Sequence, residues 1–389
     1  MRRSTSALVV LASFCALTAK IAIAWNTYGT NDALTFEADI AKLKTAGPER
    51  LYREGVEPAP GHVQPFSHSP PVIHGLLLLQ RLKNVSGLPV RFWLRVSCAL
   101  ADLASLLLLW KMGIRSATAL LLVALSPVSL MISGFHVNTD PLMVCSVLAA
   151  VCLIQSGRFG WAGIILGLAL SIKLTAIVFI PALAVAAGLK RTAVILGLAS
   201  FCYFGLSLPY IWEFPKTIAT SALTYSGLYQ YWGVAGLSLL TGPASIHLWY
   251  RSGGKFVVLA MLLATAAGMR RTGRRGQILS NCGLLVTVFL VFTPGFGVQY
   301  LAYLVPWLAV ARNQVVAGFY AVSGMFMFDF YTWGSRDFPW YLANFFTTRF
   351  MPVDIFILGL LTWFALMALT RAKLWADPRP VPPAILYGR

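Results

Sequence analysis

The chain has 389 residues, of which 58% are hydrophobic and only 11% charged, and its formal net charge is +18. A mean hydropathy of +0.73 excludes a soluble globular fold, because a domain of this size cannot hide so much apolar surface; the chain reads as an all-α polytopic membrane protein. The basic excess does not point to nucleic acid, since Lys and Arg sit in short clusters between apolar runs, as the positive-inside bias places them.

Arg2-Arg3, an apolar stretch and Ala22-Ile23-Ala24 have the outline of a cleavable leader. Residues 7–25 can nevertheless cross a bilayer at about 1.5 Å per residue, and they are read as an uncleaved first span. The largest polar segment of the chain follows, residues 26–71, with Asp32, Glu37 and Asp39 near its start. Leu34, Ala38 and Ala41 share one face of a helix expected from Ala33 through Ala46, stopping at Gly47-Pro48 and lying on the membrane surface. On that helix Asp39 reads as a solvated charge beside Lys42 or Lys44.

Beyond the loop, apolar runs at 70–82, 92–110, 117–131, 140–155, 161–187, 192–211, 255–269, 277–293, 299–311, 314–331 and 352–370 complete a bundle of about twelve spans. With Met1 in the cytoplasm, the clusters Arg81/Lys83/Arg91, Lys190/Arg191 and Arg270–Arg275 fall inside, with a cytoplasmic tail at 371–389. Lys111 and Arg115 fall outside, against the rule. The stretch 233–250, broken at Gly242-Pro243, reads as a re-entrant or interfacial element. The chain is thus one transmembrane domain, 1–389, with an extracytoplasmic loop at 26–69, an aromatic-rich outer segment at 212–254 and a further outer loop at 332–351.

The aromatics of the outer segment, among them Trp212, Tyr225, Tyr229, Tyr231 and Trp232, suit either the headgroup zone or a platform for sugar C–H faces. The six cysteines lie in apolar segments without a CxxC pair and read as small core residues. Charges inside spans are costly and so are informative. Asp102 is expected to pair with Arg95 or Lys173, and Lys173 either orients a lipid phosphate or breaks its run into two half-helices. Asp140, with His136 and Asn138, falls on the cytoplasmic side of this count and reads as stabilising a turn.

The ordered features now define a resemblance. An Asp opens the first outer loop (Asn31-Asp32), Gly47 leads to Leu51-Tyr52, and Ser69-Pro70-Pro71 opens the next span. Ser133 to Asp140, Lys173-Leu174-Thr175 with Pro181, and Gln299-Tyr300 with Tyr303 and Pro306 follow in order. The series, over roughly residues 1–310, resembles the GT-C superfamily of integral-membrane glycosyltransferases, in particular its mannosyltransferase-like members. Ser69 stands where many members carry Tyr, and the loop lacks a clean Asp-x-Asp pair, which weighs against a metal-dependent member.

The resemblance implies transfer of a hexose, mannose first, from a polyprenyl-phosphate donor, with inversion, on the extracytoplasmic face and without a cofactor or metal. Such a reaction needs a carboxylate to take the acceptor's proton and cationic or hydrogen-bonding groups to hold the leaving phosphate. Asp32 matches the family's base position and Glu37 is the second choice; as an alternative, Asp32 or Asn31 caps the loop helix. The expected substrate-binding residues are Tyr52, Arg53, His74, Lys216, Tyr225, Gln299, Tyr300 and Arg336, the last open to a salt bridge with Asp337. His62 and His68 read as non-catalytic loop histidines. Membrane lipid and the lipid-linked donor are the implied partners, nucleic acid is not one, and the expected location is a bacterial plasma membrane, or the endoplasmic reticulum membrane if the source is eukaryotic. A rival reading is a transporter or flippase whose path is lined by Asp102, Lys173 and Asp140; substitutions of Asp32 and of Asp102 or Lys173 discriminate the two.

Overall fold

The computed structural model describes residues 3–224, 232–241, 244–333 and 353–375. The described chain is almost wholly helical. Helix α1 (Arg3–Asn26) is followed by the polar segment, which holds α2 (Asp32–Glu54) and a short antiparallel pair, β1 (Val56–Ala59) and β2 (His62–Gln64). Then come α3 (Val72–Ser86), α4 (Val90–Lys111), α5 (Ala117–Ala124), α6 (Pro127–Gly134), α7 (Asp140–Gln155) and α8 (Phe159–Ile172). A 3-10 turn (Leu174–Phe179) leads into α9 (Ile180–Ala187), α10 (Leu189–Glu213), α11 (Pro215–Thr224), α12 (Gly233–Thr241) and α13 (Ala244–Arg271). Helix α14 (Ile278–Phe292), a 3-10 helix (Val298–Val310), α15 (Asn313–Trp333) and α16 (Val353–Leu369) complete it.

Among the described residues, six stretches are long and apolar enough to cross a membrane: Ala7–Asn26, Val90–Lys111, Ala117–Gly134, Leu189–Glu213, Ser245–Arg271 and Asn313–Trp333. The span expected at 255–269 therefore starts about a dozen residues earlier, and α12 remains as a separate short helix. The axis of the bundle is α14, buried nearly all round, together with the 3-10 helix Val298–Val310. Thirteen residues at about 2.0 Å each reach about 26 Å, so the stretched 3-10 geometry lets this short segment cover nearly a bilayer's hydrocarbon. Helices α8 and α10 pack backbone to backbone. A Cβ on Gly163 would meet the Ile195 carbonyl oxygen at 2.6 Å, and one on Gly167 the Ala199 carbonyl oxygen at 2.6 Å.

Contacts sort the helix termini into two ends. At one end the last turn of α1, the start of α4 and the exit of α6 meet through Arg95, which is 1% exposed. Its guanidinium donates to the carbonyls of Ala24 and Thr27, both at 2.9 Å, to Thr27 Oγ1 at 2.9 Å, and to those of Gly134 and Phe135 at 3.4 Å. It thus supplies donors to carbonyls that two helix C-termini leave open. At the other end, the Arg191 guanidinium lies 4.7 Å from the centre of the Phe159 ring, and the Arg312 amide donates to Leu374.

These contacts correct the expected sidedness in three places. Arg91 donates to Glu37 at 2.8 Å, so the cluster Arg81/Lys83/Arg91 shares an end with the 26–71 loop instead of lying across the membrane from it. Helix α3 therefore does not carry the chain to the opposite end, and α4 starts beside the loop. The run 161–187 is not one pass: the backbone breaks at Lys173 (φ −156°, ψ 125°) and turns back, so that Arg191 reaches the start of α8. With α3 no longer a pass, Lys111 and Arg115 move to the end opposite the loop, and the residues around His136 and Asp140 move to the loop's own end; the reversal at Lys173 then restores the expected side of Lys190 and Arg191.

The loop is a packed cap. Phe36, Ile40 and Leu43 of α2 are buried with Ile73 and Leu76 of α3 and with Phe214 and Ile218, so α2 packs on protein through a face other than the expected Leu34/Ala38/Ala41 one, of which Ala41 is exposed. The helix continues past the expected stop: Gly47 takes φ 80°, which favours glycine, and Pro48 restarts the helix, where its missing N–H costs nothing. That kink brings Leu51 and Tyr52 inward, and the Tyr52 hydroxyl donates to the His68 carbonyl at 2.7 Å.

Candidate functional site

The site lies at the loop end, where α2, the α6–α7 connection and α15 converge. Asp32 is the first residue of α2, and its Oδ2 is 3.0 Å from His136 Nε2. His136 Nδ1 is in turn 2.9 Å from the hydroxyl of Tyr331 in α15. His136 is 7% exposed and Tyr331 fully buried, whereas the Asp32 side chain keeps 42% of its surface. An ionised carboxylate only accepts, so Nε2 carries the shared proton; with a neutral ring, Nδ1 is the acceptor and Tyr331 donates to it. One carboxylate oxygen is thereby oriented and the side chain stays open to the outside. The capping alternative does not hold for Asp32, whose carboxylate is directed at His136.

Close approach of two loops makes this possible. Gly29 takes φ 100°, and a Cβ there would lie 2.8 Å from Val137 Cγ2 and 2.9 Å from the Phe135 carbonyl oxygen. Arg95 holds the same two loops through Thr27 and Phe135. After His136, the Asn138 Oδ1 accepts from the Asp140 amide at 2.8 Å and secures the start of α7.

A second charged pair sits beside the first. Lys173 Nζ donates to Asp140 Oδ1 at 2.6 Å and lies 5.2 Å from the centre of the Tyr300 ring. Asp140 is fully buried and its Oδ2 has no hydrogen-bond partner among the described residues. Thr175 and Tyr303 share a hydrogen bond of 2.9 Å next to it. His68 links the pairs electrostatically. Desolvation first, and then the Lys173 charge, push its pKa down to about 4, while Asp32 and Asp140 oppose them. It is therefore a neutral ring, stacked on Phe36 with centroids 5.5 Å apart. Asp39, expected to be solvated, is 1% exposed; burial and then the Asp32 charge raise its pKa to about 7.

The other expected residues divide plainly. Glu37 is not joined to Asp32: it accepts from Arg91 at 2.8 Å and from the Tyr28 hydroxyl at 3.1 Å. Burial and that neighbouring carboxylate raise the Tyr28 pKa to about 12. Tyr52 is buried against the loop; Arg53 is exposed and paired with Glu49 and Glu54 at 3.2 and 3.3 Å. His74 is exposed on α3, 3.3 Å from the Tyr210 hydroxyl, and Lys216 is exposed on α11. Gln299 folds back over Gly297, and Tyr300 faces Lys173. Tyr225, Arg336, Asp337 and most of 332–351 lie outside the described residues. Of the outer aromatics, Trp212 is exposed, but Trp232 is buried, stacked 3.7 Å from the Phe296 ring, and is no sugar platform.

Asp102 pairs with neither expected partner. Lys20 Nζ meets it at 2.7 Å, and Ser129 and Ser133 each donate to the same oxygen at 2.6 Å. Asp102 and the Lys173–Asp140 pair are thus satisfied separately, each by its own lysine. The residues that sequence reasoning missed are His136 as partner of Asp32, and Tyr331. The signal for His136 was present in its spacing to Asn138 and Asp140, but the miscounted passes put it on the wrong side.

Residues 77–189 match a protein family described as alpha-(1->6)-mannopyranosyltransferase, N-terminal domain. This stretch holds Arg95, His136, Asp140 and Lys173, and it agrees with the resemblance to GT-C mannosyltransferases drawn from the ordered motifs. The chain is a membrane glycosyltransferase. A search of curated proteins finds no match. The glycosyltransferase's matched region starts after Asp32 and ends before Tyr331, so it supplies the middle member of the Asp32–His136–Tyr331 series.

Proposed function

We propose that this glycosyltransferase transfers mannose from a polyprenyl-phosphate donor, with inversion, and that Asp32 is the general base. The observation that carries the reading is the Asp32–His136–Tyr331 series, in which a partly exposed carboxylate is aimed by a buried imidazole that a tyrosine orients in turn. As the acceptor hydroxyl attacks the anomeric carbon, Asp32 takes its proton, and the neighbouring His136 N–H keeps the carboxyl oriented. Lys173 is the cation we assign to the departing phosphate: Asp140 fixes one of its three N–H groups, and the others remain to meet an oxyanion. The α-(1→6) linkage in the matched family's description is the first product to look for.

The same reading gives twelve crossings with both described ends of the chain on the inner side. Helix α3 is subtracted from the expected spans and the run 159–187 counts twice, once through α8 and once through the 3-10 turn and α9. The loop end is then extracytoplasmic, in a bacterial plasma membrane, and Lys111, Arg115, Arg158, Lys190, Arg191 and Arg270–Arg275 all lie inside, in keeping with the positive-inside rule.

The test incubates purified protein with polyprenyl-phosphate mannose and a mannosyl acceptor and follows the transfer. Asp32→Asn is expected to abolish product in a protein that still purifies as the wild type does, while Glu37→Gln retains it. Full activity in Asp32→Asn would sink the assignment.

A further inference from the structure

The end of the bundle opposite Asp32 carries a recess that the transfer reaction does not use. It is shallow and open to solvent, and is formed where the end of α7, the start of α8, the end of α9, the start of α10 and the 274–276 turn meet. Ile154, Ile278 and Ala186 supply apolar wall, and Gln155, Arg191 and Arg275 supply the polar groups. Arg191 is held against the Phe159 ring, 4.7 Å from its centre, which leaves its N–H edge available.

The charge inventory at this end is one-sided. The described segments that reach it are 108–120, 150–162, 184–195, 266–281, 308–317 and 366–375, and none of them contains an Asp or Glu. They contain Lys111, Arg115, Arg158, Lys190, Arg191 and Arg270–Arg275, among others. Every ion pair found among the described residues involves a carboxylate elsewhere, in the loop cap, in the Lys20–Asp102 pair or in the Lys173–Asp140 pair. Two guanidinium groups therefore share a concave, partly apolar site with no counter-charge among the described residues, at the level of a bilayer's headgroups.

We propose that this recess binds the phosphodiester headgroup of an anionic lipid from the facing leaflet. Arg191 and Arg275 hold the phosphate oxygens, Gln155 donates to an ester or glycerol oxygen, and the half-buried Phe159 and Ala186 take the first carbons of the chain. Phosphate chemistry alone could also come from free inorganic phosphate, and the acyl wall favours the lipid. The site joins α7, α8, α10 and the turn before α14, so its occupancy ties together helices that carry Asp140 and Lys173 at their other ends.

The experiment uses the full chain, purified and delipidated, with phosphatidylglycerol, phosphatidylcholine or inorganic phosphate added, read by native mass spectrometry and by thermal melting. Phosphatidylglycerol is expected to be retained and to raise the melting temperature, phosphatidylcholine to do neither, and millimolar phosphate to compete weakly. Arg191→Gln with Arg275→Gln should lower phosphatidylglycerol retention at least about tenfold. Arg312→Gln with Arg371→Gln, which removes two exposed cations of the same end outside the recess, should leave it unchanged. Arg275→Gln alone, at an exposed position, serves if the double variant fails to fold, and should still weaken retention. Equal retention of the two lipids, or equal loss in both double variants, would overturn the site in favour of diffuse surface charge. Full displacement by phosphate, with the same thermal shift, would overturn the lipid as its occupant.

Discussion

Asp32 Oδ2 and His136 Nε2 lie 3.0 Å apart although 104 residues separate them in the chain. The contact joins the first residue of a loop helix to a connection between two membrane helices. It fixes which carboxylate of the polar loop has a proton-handling neighbour, since Glu37 is engaged by Arg91 and Asp39 is buried. His136→Ala is expected to reduce transfer by about 10²-fold or more while leaving insertion intact, measured as product formed per purified protein.

Tyr331 acts through His136 and so is a positioning residue. Tyr331→Phe removes the hydroxyl that orients Nδ1 and leaves a buried ring nitrogen without its partner, a cost of about 1–3 kcal/mol. The expected result is a fall in kcat with little change in KM for the donor. An unchanged kcat would show that the imidazole holds its orientation unaided.

Gly29→Ala should harm activity more than its size suggests. The added Cβ meets Val137 and the Phe135 carbonyl, and the φ of 100° is strained for alanine, together about 1–3 kcal/mol. Gly61→Ala is the control, because it too has a positive φ of 77° but nothing within 4 Å of the new atom. Transfer should drop in the first variant and survive in the second.

Arg95→Met removes a guanidinium whose five nitrogen–oxygen contacts tie α1, α6 and the loop to α4. The buried carbonyls left open predict destabilisation of about 3 kcal/mol or more, seen as a lower melting temperature in detergent. Arg95→Lys should recover only part of it, since an ammonium cannot span the same fork.

Two buried groups of the cap give opposite pH dependences. Asp39 has its pKa raised to about 7, so the folded state binds its proton more tightly than the unfolded chain, and its contribution is full at low pH and lost as pH rises from about 4 through 7. His68 has its pKa lowered to about 4, so its contribution is present above about 6.5 and lost as pH falls toward 4. Asp39→Asn should therefore raise stability at pH 8 relative to pH 5, and His68→Phe should raise it at pH 5 relative to pH 8. Melting curves at the two pH values check both signs.

Composition and apolar runs made the all-helical membrane class legible, and the isolated polar loop singled out Asp32 as a candidate without showing its contact with His136. Pass counting was less secure, because it used length and charge alone. Helix α3 is an apolar run that covers a cap instead of crossing, and 161–187 hides a reversal at Lys173 that shows only in the contact of Arg191 with Phe159. The α3 error inverts the side assigned to His136, and in the proposed topology the reversal at Lys173 offsets it in the total. Tyr331 was not legible, since an aromatic near the end of an apolar helix carries no mark of its partner. Asp39 was misread because the apolar spacing of Leu34, Ala38 and Ala41 pointed to one face of α2, while the face that packs on protein carries Phe36, Ile40 and Leu43 together with Asp39.

The Asp32–His136–Tyr331 series also sets an order of events during synthesis. Its members come from the first tenth, the middle third and the last sixth of the chain, with Tyr331 195 residues beyond His136. While the nascent chain is being threaded into the bilayer, the loop helix and the α6–α7 connection can meet early, but the imidazole stays unanchored until α15 leaves the insertion machinery. On the proposed mechanism, catalytic competence is thus withheld from partly made chains, and a polypeptide stalled before α15 would be membrane-embedded yet silent.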